Sequence, residues 1–245
     1  MKNLAIIFTL IFNFCLSQQT IVVTYELRPK LFEEANQITK STFLNKNQAF
    51  QKYELINNGE LSSFKESKIK NRRNNTAYYV GDTLVIKKQG EDKNITIKNF
   101  LNSNVYNKVD INRNENFIYV KSKFKNFNLE LTNQVEKIDK YECNLVQGKN
   151  PLNGDQVKYW YTAQIPIQDG PCSWWVNVPG LILHIEYPMM DFYAVKIEFV
   201  NTRTKIDEFP KQTVYITETE YLKKLQHSLN IDAQDAENYQ KLFKK

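Results

Sequence analysis

The sequence predicts a mainly β fold with some helix (α+β), organised as a curved antiparallel meander sheet. Between positions 19 and 27 the apolar residues Ile21, Val23, Tyr25 and Leu27 alternate, which is the period of a strand with one buried face. Further β-leaning pieces recur about every 10 residues, separated by Asn, Asp and Gly and without a helical pattern between them. This spacing is typical of successive hairpins and disfavours a parallel α/β fold.

The predicted strands cover most of the chain after a strong turn signal at Asn57-Asn58-Gly59. The first strand is expected at 19–27. We expect later strands at 76–88, 94–100, 116–121, 126–132, 141–147, 157–164, 180–187 and 191–201. The sheet would then hold eight or more strands.

Two regions have helical patterns. Residues 31–51 lack Pro and Gly and place Leu31, Ala35 and Ile38 at helical spacing, which predicts a helix or an irregular excursion. Near the end, Thr217 and Glu220 stand in the spacing of a capping box, which predicts the start of a C-terminal helix. A second helix start at 232 indicates another short helix or a frayed tail.

The first 17 residues have the order of a signal peptide. Lys2 precedes the apolar run 4–12, and the segment closes at 15–17, so we expect cleavage after Ser17 and an exported protein. The run is shorter than the roughly 20 residues of a membrane-spanning helix. Lipidation at Cys15 is the weaker alternative. We therefore divide the chain into a signal peptide (1–17), one β-rich domain (18–216) and a helical tail (217–245), with no transmembrane segment after cleavage.

Charge and cysteine content narrow the expected partners. The formal charge is +6, and the densest basic run, 68–73, lies in an Asn-rich stretch that is typical of a solvated loop. We expect no nucleic-acid partner. Cys143 and Cys172 remain after signal cleavage, and an even pair in an oxidising compartment permits one disulfide, with two unbridged thiols as the alternative.

Residues 157–187 concentrate all three tryptophans of the chain. Val178-Pro179-Gly180 predicts a type II turn, because Pro suits its second position and Gly tolerates positive φ at its third. The rings could fill the core, or they could line an apolar groove for a ligand or a partner strand. Trp174 and Trp175 are the better candidates for contact, because adjacent residues of a strand point to opposite sides. We name these candidate binding residues: Tyr159, Trp160, Tyr161, Trp174, Trp175, Pro179, Gly180 and Leu181.

This segment resembles the signature of the GLPGLI family of exported bacterial proteins. The resemblance rests on four elements in order: Tyr159-Trp160-Tyr161-Thr162, Ile165-Pro166-Ile167, Gly170-Pro171 and Val178-Pro179-Gly180-Leu181-Ile182-Leu183. Weaker similarity occurs at 137–143 and 61–64.

The resemblance implies a compartment and a fold but no activity or cofactor. It implies a periplasmic or outer-membrane-associated protein of Bacteroidetes-type bacteria. The family's genes often lie beside those for TonB-dependent receptors, so such a receptor is a candidate partner. The family also looks similar to the lipoprotein-carrier superfamily, whose half-barrel sheet wraps a helix and can shelter an acyl chain.

The residues themselves give no catalytic or metal-binding pattern. His184 lies in a predicted strand and His227 on the C-terminal helix, and neither belongs to a nucleophile, zincin, P-loop or dinucleotide motif. A zinc site from Cys143, Cys172 and His184 is conceivable but lacks metal-ligand spacing. We therefore expect a non-catalytic binding or carrier module for an apolar ligand or lipid. The alternatives are an accessory protein that docks on an outer-membrane receptor and, less favoured, a hydrolase.

Overall fold

A computed structural model describes residues 20–29, 51–67, 75–80, 83–88, 93–110, 117–149, 156–188 and 190–224. Three sequence predictions therefore lie outside the described residues: the signal peptide, nearly all of the excursion at 31–51, and the second helix start at 232. The basic run at 68–73 lies outside them as well.

The described residues form strands and one short helix. The strands are β1 (Thr20–Pro29), β2 (Gln51–Asn57), β3 (Leu61–Glu66), β4 (Asn75–Val80), β5 (Thr83–Lys88), β6 (Ile95–Asn99), β7 (Asn104–Asp110), β8 (Phe117–Lys123), β9 (Glu130–Ile138), β10 (Tyr141–Lys149), β11 (Gln156–Thr162), β12 (Leu181–Glu186), β13 (Met190–Val200) and β14 (Ile216–Thr217). The helix, α1, occupies 218–224. Within the described residues, no helix has the length and apolar character needed to cross a bilayer.

Twelve of these strands form one open sheet in the order β14-β8-β7-β6-β3-β2-β1-β13-β12-β11-β10-β9. Neighbouring strands are antiparallel, except that β14 runs parallel to β8. The hairpin β4-β5 forms a separate two-stranded sheet. The predicted antiparallel sheet is thus confirmed. It is not one simple meander, because β1 lies in the middle and joins two meandering halves by pairing with both β2 and β13.

The connection at 124–129 requires the sheet to bend. It joins β8, next to one edge of the sheet, to β9 at the opposite edge, with nine strands between them. At about 4.8 Å per strand, a flat sheet would separate β8 and β9 by about 48 Å. The seven residue steps from Lys123 to Glu130 span at most about 25 Å. The sheet is therefore curved.

Local sequence signals explain the ends of several elements. The Asn57 and Asn58 side-chain carbonyls accept hydrogen bonds from the backbone N–H groups of Gly59 and Leu61, at 2.8 and 2.9 Å. Gly59 takes a φ of 87°, which favours glycine. At α1, the Glu220 N–H donates to Thr217 Oγ1 and the Thr217 N–H donates to Glu220 Oε2, so the predicted capping box is confirmed.

The strand predictions were least accurate where polar residues dominate. The predicted strands at 19–27, 94–100, 116–121, 141–147, 157–164, 180–187 and 191–201 correspond to β1, β6, β8, β10, β11, β12 and β13. The range 76–88 is two strands, β4 and β5, and β9 begins at Glu130 rather than at 126. The sequence did not predict β2, β3 and β7, whose many polar residues find buried or half-buried positions only in the assembled sheet. The two-residue strand β14 was not predicted either.

The buried apolar residues form two clusters. The first cluster comprises Ile21, Val23, Tyr25, Tyr53, Leu55, Ile138, Tyr141, Cys143, Leu145, Trp160, Ile165, Leu181, Leu183 and Ala194. The second cluster comprises Val146, Val157, Tyr159, Tyr161, Cys172, Val176, Val178, Ile182 and Ile185. The second cluster includes three residues from the loop between β11 and β12, so this loop is part of the core.

Candidate functional site

Residues 163–180, between β11 and β12, form what we call the covering loop. Its path is set by four backbone hydrogen bonds between residues two apart, which close tight turns centred on Pro166, Gln168, Pro171 and Asn177. Such turns need a central φ near −75°, and the proline ring fixes φ close to that value. Two of the four centres are prolines for this reason. The loop is also bonded to β12, because the N–H of Ile182 donates to the carbonyl of Asp169 at 2.9 Å.

Asp169 lies at the centre of a buried polar cluster, which we call the Asp169 cluster. Lys98 Nζ on β6 donates to Asp169 Oδ1 and to the Gly170 carbonyl, both at 2.7 Å. Asn57 Nδ2 on β2 donates to Asp169 Oδ2 at 2.9 Å, and the Gly170 N–H donates to Oδ1 at 2.8 Å. The side chains of Lys98 and Asp169 are 2% and 0% exposed. This cluster ties the covering loop to two strands of the opposite half of the sheet.

Burial around the Asp169 cluster keeps neighbouring groups neutral. Burial raises the pKa of Cys172 to about 12, the positive charge of Lys98 acts in the lowering direction, and Asp169 adds to the increase. Burial also raises the pKa of Tyr25 well above its ordinary value, with Asp169 and Cys172 adding to it. The Tyr25 hydroxyl donates to the Ile182 carbonyl at 2.6 Å. The thiol and the phenol are therefore protonated at neutral pH.

The three aromatic residues of β11 do not share one groove. Tyr159 and Tyr161 belong to the second cluster, whereas Trp160 belongs to the first. Successive side chains of a strand point to opposite faces, so the structure separates Trp160 from its neighbours. Its indole Nε1 donates to Glu186 Oε1 at 2.7 Å. All three rings are buried, as expected for the core alternative.

Trp174 and Trp175 lie in the covering loop and not in a strand, so the alternation expected for them does not apply. Both are partly exposed. Trp175 stacks on Phe124 with ring centroids 5.0 Å apart and planes at 3°, and Phe100 contacts Phe124 edge-on at 5.5 Å. These three rings form what we call the rim stack. Leu101, next to Phe100 in the chain, is 73% exposed.

The predicted type II turn at Val178-Pro179-Gly180 is wrong, because Gly180 does not have a positive φ. Glycine is needed there for space: a Cβ atom would lie 2.0 Å from the Thr162 carbonyl oxygen. Pro179 is exposed. Leu181, the first residue of β12, is fully buried, and its N–H donates to the Ile165 carbonyl at 3.1 Å.

Cys143 and Cys172 are both buried free thiols, so the disulfide that their number permits is not present in the structure. Cys143 belongs to the first cluster and Cys172 to the second.

His184 lies between two carboxylates. Its ring nitrogens lie 3.9 Å from Glu136 and 3.8 Å from Asp191. Among the described residues no group of three or more His, Cys, Asp or Glu side chains has the arrangement of a metal site.

No sequence pattern marked Lys98, Asp169 and Asn57 as site residues. Lys98 belongs to a strand of alternating residues, where a single lysine is typical of a solvent-facing position. Asp169 precedes Gly170-Pro171 and looked like an ordinary turn residue. The weak signal available was an acidic residue inside an otherwise apolar Pro-rich segment.

Comparison with known proteins supports the fold. No family model matches the chain, and no curated protein matches it. Two solved structures of PNGF-II, in the P21 and C2 space groups, are similar to it, each with a TM-score of 0.53 and 17% sequence identity over 86% of this chain. The match spans only 34% and 33% of the PNGF-II chain. At this identity the likeness shows a shared fold only.

We predict that Asp169→Ala lowers the free energy of unfolding by about 3 to 5 kcal/mol, because it leaves the Lys98 ammonium buried without its partner. Urea denaturation at pH 7 measures the change. The double variant Lys98→Met/Asp169→Ala should lose less than the sum of the two single variants. Lys205→Met is the matched control: Lys205 and Asp207 form a pair that is 89% and 90% exposed, and its loss should cost less than about 1 kcal/mol. If the double variant lost as much unfolding free energy as the two single variants together, Lys98 and Asp169 would not be coupled.

Gly180→Ala should destabilise the chain by about 3 kcal/mol, because its Cβ would collide with backbone atoms of Thr162. At Gly148 the added Cβ meets chiefly Leu129 Cδ2, at 2.7 Å, and this side-chain end can move. Gly148→Ala should therefore cost about 1 kcal/mol or less. Thermal and urea unfolding of the two variants measure both losses of stability. If Gly180→Ala and Gly148→Ala lost equal unfolding free energy, the close approach of the covering loop to Thr162 would not require a glycine.

The negative charge of Glu186 should stabilise the fold at neutral pH, and this stabilisation should be lost in acid. Burial raises the pKa of Glu186, but the hydrogen bond from Trp160 and the charge of Lys158 bring it below its ordinary value of 4.5. A lowered folded-state pKa gives stability that is present above the unfolded-state pKa and lost as pH falls through the folded-state value. Glu186→Gln keeps an acceptor for the indole and removes the charge. The difference in unfolding free energy between wild type and Glu186→Gln should shrink from pH 7 toward strong acid; a pH-independent difference would argue against a charge effect.

Proposed function

We propose that this chain is a non-catalytic binding module of the bacterial cell envelope, of the GLPGLI type, which holds an apolar ligand beneath the covering loop. The observation that carries the proposal is the way this loop is attached. Its polar contacts with the opposite half of the sheet are made at Asp169 and Gly170, and at Ser173, whose carbonyl accepts a hydrogen bond from Asn107 Nδ2 on β7 at 3.0 Å. Cys172, Val176 and Val178 lie against β11 and β12 through apolar contacts. A segment attached in this way can leave the sheet as a unit and expose apolar surface.

Curvature of the sheet supports a half-barrel arrangement, in the manner of the lipoprotein-carrier superfamily. The short connection at 124–129 brings opposite sides of the sheet close together, and the Phe127 N–H on that connection donates to Asn177 Oδ1 of the covering loop at 3.0 Å. A bent sheet with a loop across its opening is suited to an elongated apolar ligand. Export to the periplasm or the outer membrane, in a Bacteroidetes-type bacterium, is part of this proposal.

A second candidate function is docking on a TonB-dependent outer-membrane receptor. It is favoured by the rim stack, where Trp175 and Phe124 lie partly exposed and Phe100 precedes the exposed Leu101 in the chain. Aromatic residues of this kind are common anchors at protein interfaces. Docking would use the outer side of the covering loop and leave its underside packed.

The carrier function predicts that loosening the covering loop increases binding of an apolar probe. In Val176→Ser/Val178→Ser, two residues that are 3% and 1% exposed lose apolar contacts, so N-phenyl-1-naphthylamine should bind about fivefold more tightly than to wild type. Fluorescence titration measures this change. Val214→Ser, at a residue that is 83% exposed, is the control and should leave the affinity unchanged.

Native mass spectrometry of the purified wild-type chain completes this test. A bound lipid that is lost on denaturation supports the carrier function. The carrier function would be excluded if no lipid were found and if wild type, Val176→Ser/Val178→Ser and Val214→Ser bound the probe with equal affinity. A β-barrel receptor that co-purifies with wild type but not with Trp175→Ala would then support docking.

A further inference from the structure

Three polar side chains lie in a line across the sheet. Asn57 on β2 is directly opposite Ser62 on β3, and Ser62 is directly opposite Lys98 on β6. Directly opposed residues of antiparallel strands project to the same face. These residues therefore form a continuous row, which we call the polar row, and they are only 2%, 1% and 1% exposed. Buried apolar residues end the row on both sides: Ile21 opposite Asn57 and Val105 opposite Lys98.

The polar row belongs to the sheet, whereas the carboxylate that it binds belongs to the covering loop. Strand pairing fixes Asn57, Ser62 and Lys98 relative to one another whether or not the loop is in place. Asp169 reaches them from outside the sheet and accepts hydrogen bonds from Lys98 Nζ and Asn57 Nδ2. A buried ammonium needs an anion nearby, so Lys98 still requires a carboxylate when the covering loop moves away.

The polar row offers more hydrogen-bonding capacity than Asp169 uses. Ser62 lies between Asn57 and Lys98, and its Oγ has no hydrogen-bond partner among the described residues. A buried hydroxyl without a partner is uncommon and points to a ligand or water that completes the site. A hydroxyl between a side-chain amide and an ammonium is suited to a carboxylate with two acceptor oxygens.

Next to the polar row, on the same face, runs an apolar row. Val23 is directly opposite Leu55, and Leu55 is directly opposite Phe64. Leu55 is two residues before Asn57 and Phe64 two residues after Ser62, so each pair shares a face at a spacing of about 7 Å. Val23 and Leu55 are fully buried, and Phe64 stacks on Tyr53 at 5.3 Å. A charged site thus adjoins an extended apolar surface.

We propose that the polar row is the headgroup site of this module and that its ligand is a long-chain alkyl carboxylate whose chain lies along the apolar row. The inference rests on the proposed function and names its ligand class. In the ligand-free chain, Asp169 supplies the carboxylate that the polar row requires. Binding exchanges this internal carboxylate for that of the ligand, and the covering loop moves away with Asp169.

Titration calorimetry with dodecanoate and dodecanol, both below the concentrations at which they aggregate, tests the headgroup. The two ligands share an alkyl chain and differ in charge. Wild type should bind dodecanoate at least about tenfold more tightly than dodecanol, because a site of buried donors discriminates against a ligand that leaves them unpaired. Lys98→Met should abolish this preference, whereas Lys205→Met should retain it.

Removing the internal carboxylate should strengthen ligand binding. Asp169→Ala should bind dodecanoate about tenfold more tightly than wild type, because the ligand no longer competes with the side chain of the covering loop. If this variant does not fold, Asp169→Asn keeps the shape of the side chain without its charge and should show an increase in the same direction. Unchanged or weaker dodecanoate binding by the variant that folds would overturn the exchange.

The outcomes separate this inference from the proposed function. Equal affinities of wild type for dodecanoate and dodecanol would overturn the headgroup assignment while leaving an apolar-ligand module in place. Failure of both ligands to bind wild type and either Asp169 variant would overturn the carrier function together with the inference.

Discussion

Lys98 and Asp169 meet with 2.7 Å between Nζ and Oδ1 at a place where neither side chain reaches solvent. Each charge alone would be strongly unfavourable in such surroundings, so the two positions depend on each other. Asn57 and the backbone of Gly170 complete the hydrogen bonding of the carboxylate. Because one partner is on the sheet and the other on the loop between β11 and β12, this interaction fixes where the covering loop lies.

The prolines, Gly180 and apolar residues of the covering loop are compatible with the position set by Lys98 and Asp169. Prolines at two tight-turn centres limit its backbone to the required φ values, and a glycine at 180 permits the chain to approach Thr162. Val176, Val178 and Cys172 then complete the second cluster. The prolines and glycines of the segment thus set the path of its backbone across the sheet. The similarity to PNGF-II is one of fold only and says nothing about what the loop covers.

The aromatic residues of this segment differ in burial. Tyr159, Trp160 and Tyr161 are core residues divided between the two faces of β11, while Trp174 and Trp175 remain partly exposed. The groove that composition indicated is therefore not lined by these five rings together. The proposals instead depend on the surface beneath the covering loop, where a row of polar side chains adjoins an apolar one.

Features that depend only on neighbouring residues could be predicted from the order of the amino acids. Alternation identified β1, and regularly spaced β-leaning pieces located β6 and β13. The Asn-Asn-Gly run identified a turn, which joins β2 to β3, and the spacing of Thr217 and Glu220 identified the start of α1. Long-range packing set three features that local patterns do not encode: the pairing of β1 with both β2 and β13, the separation of Cys143 from Cys172, and the burial of Lys98. Strand periodicity and turn chemistry act over a few residues, whereas a lysine in an alternating strand is buried or exposed according to whether a carboxylate 71 residues away in the chain comes to lie beside it.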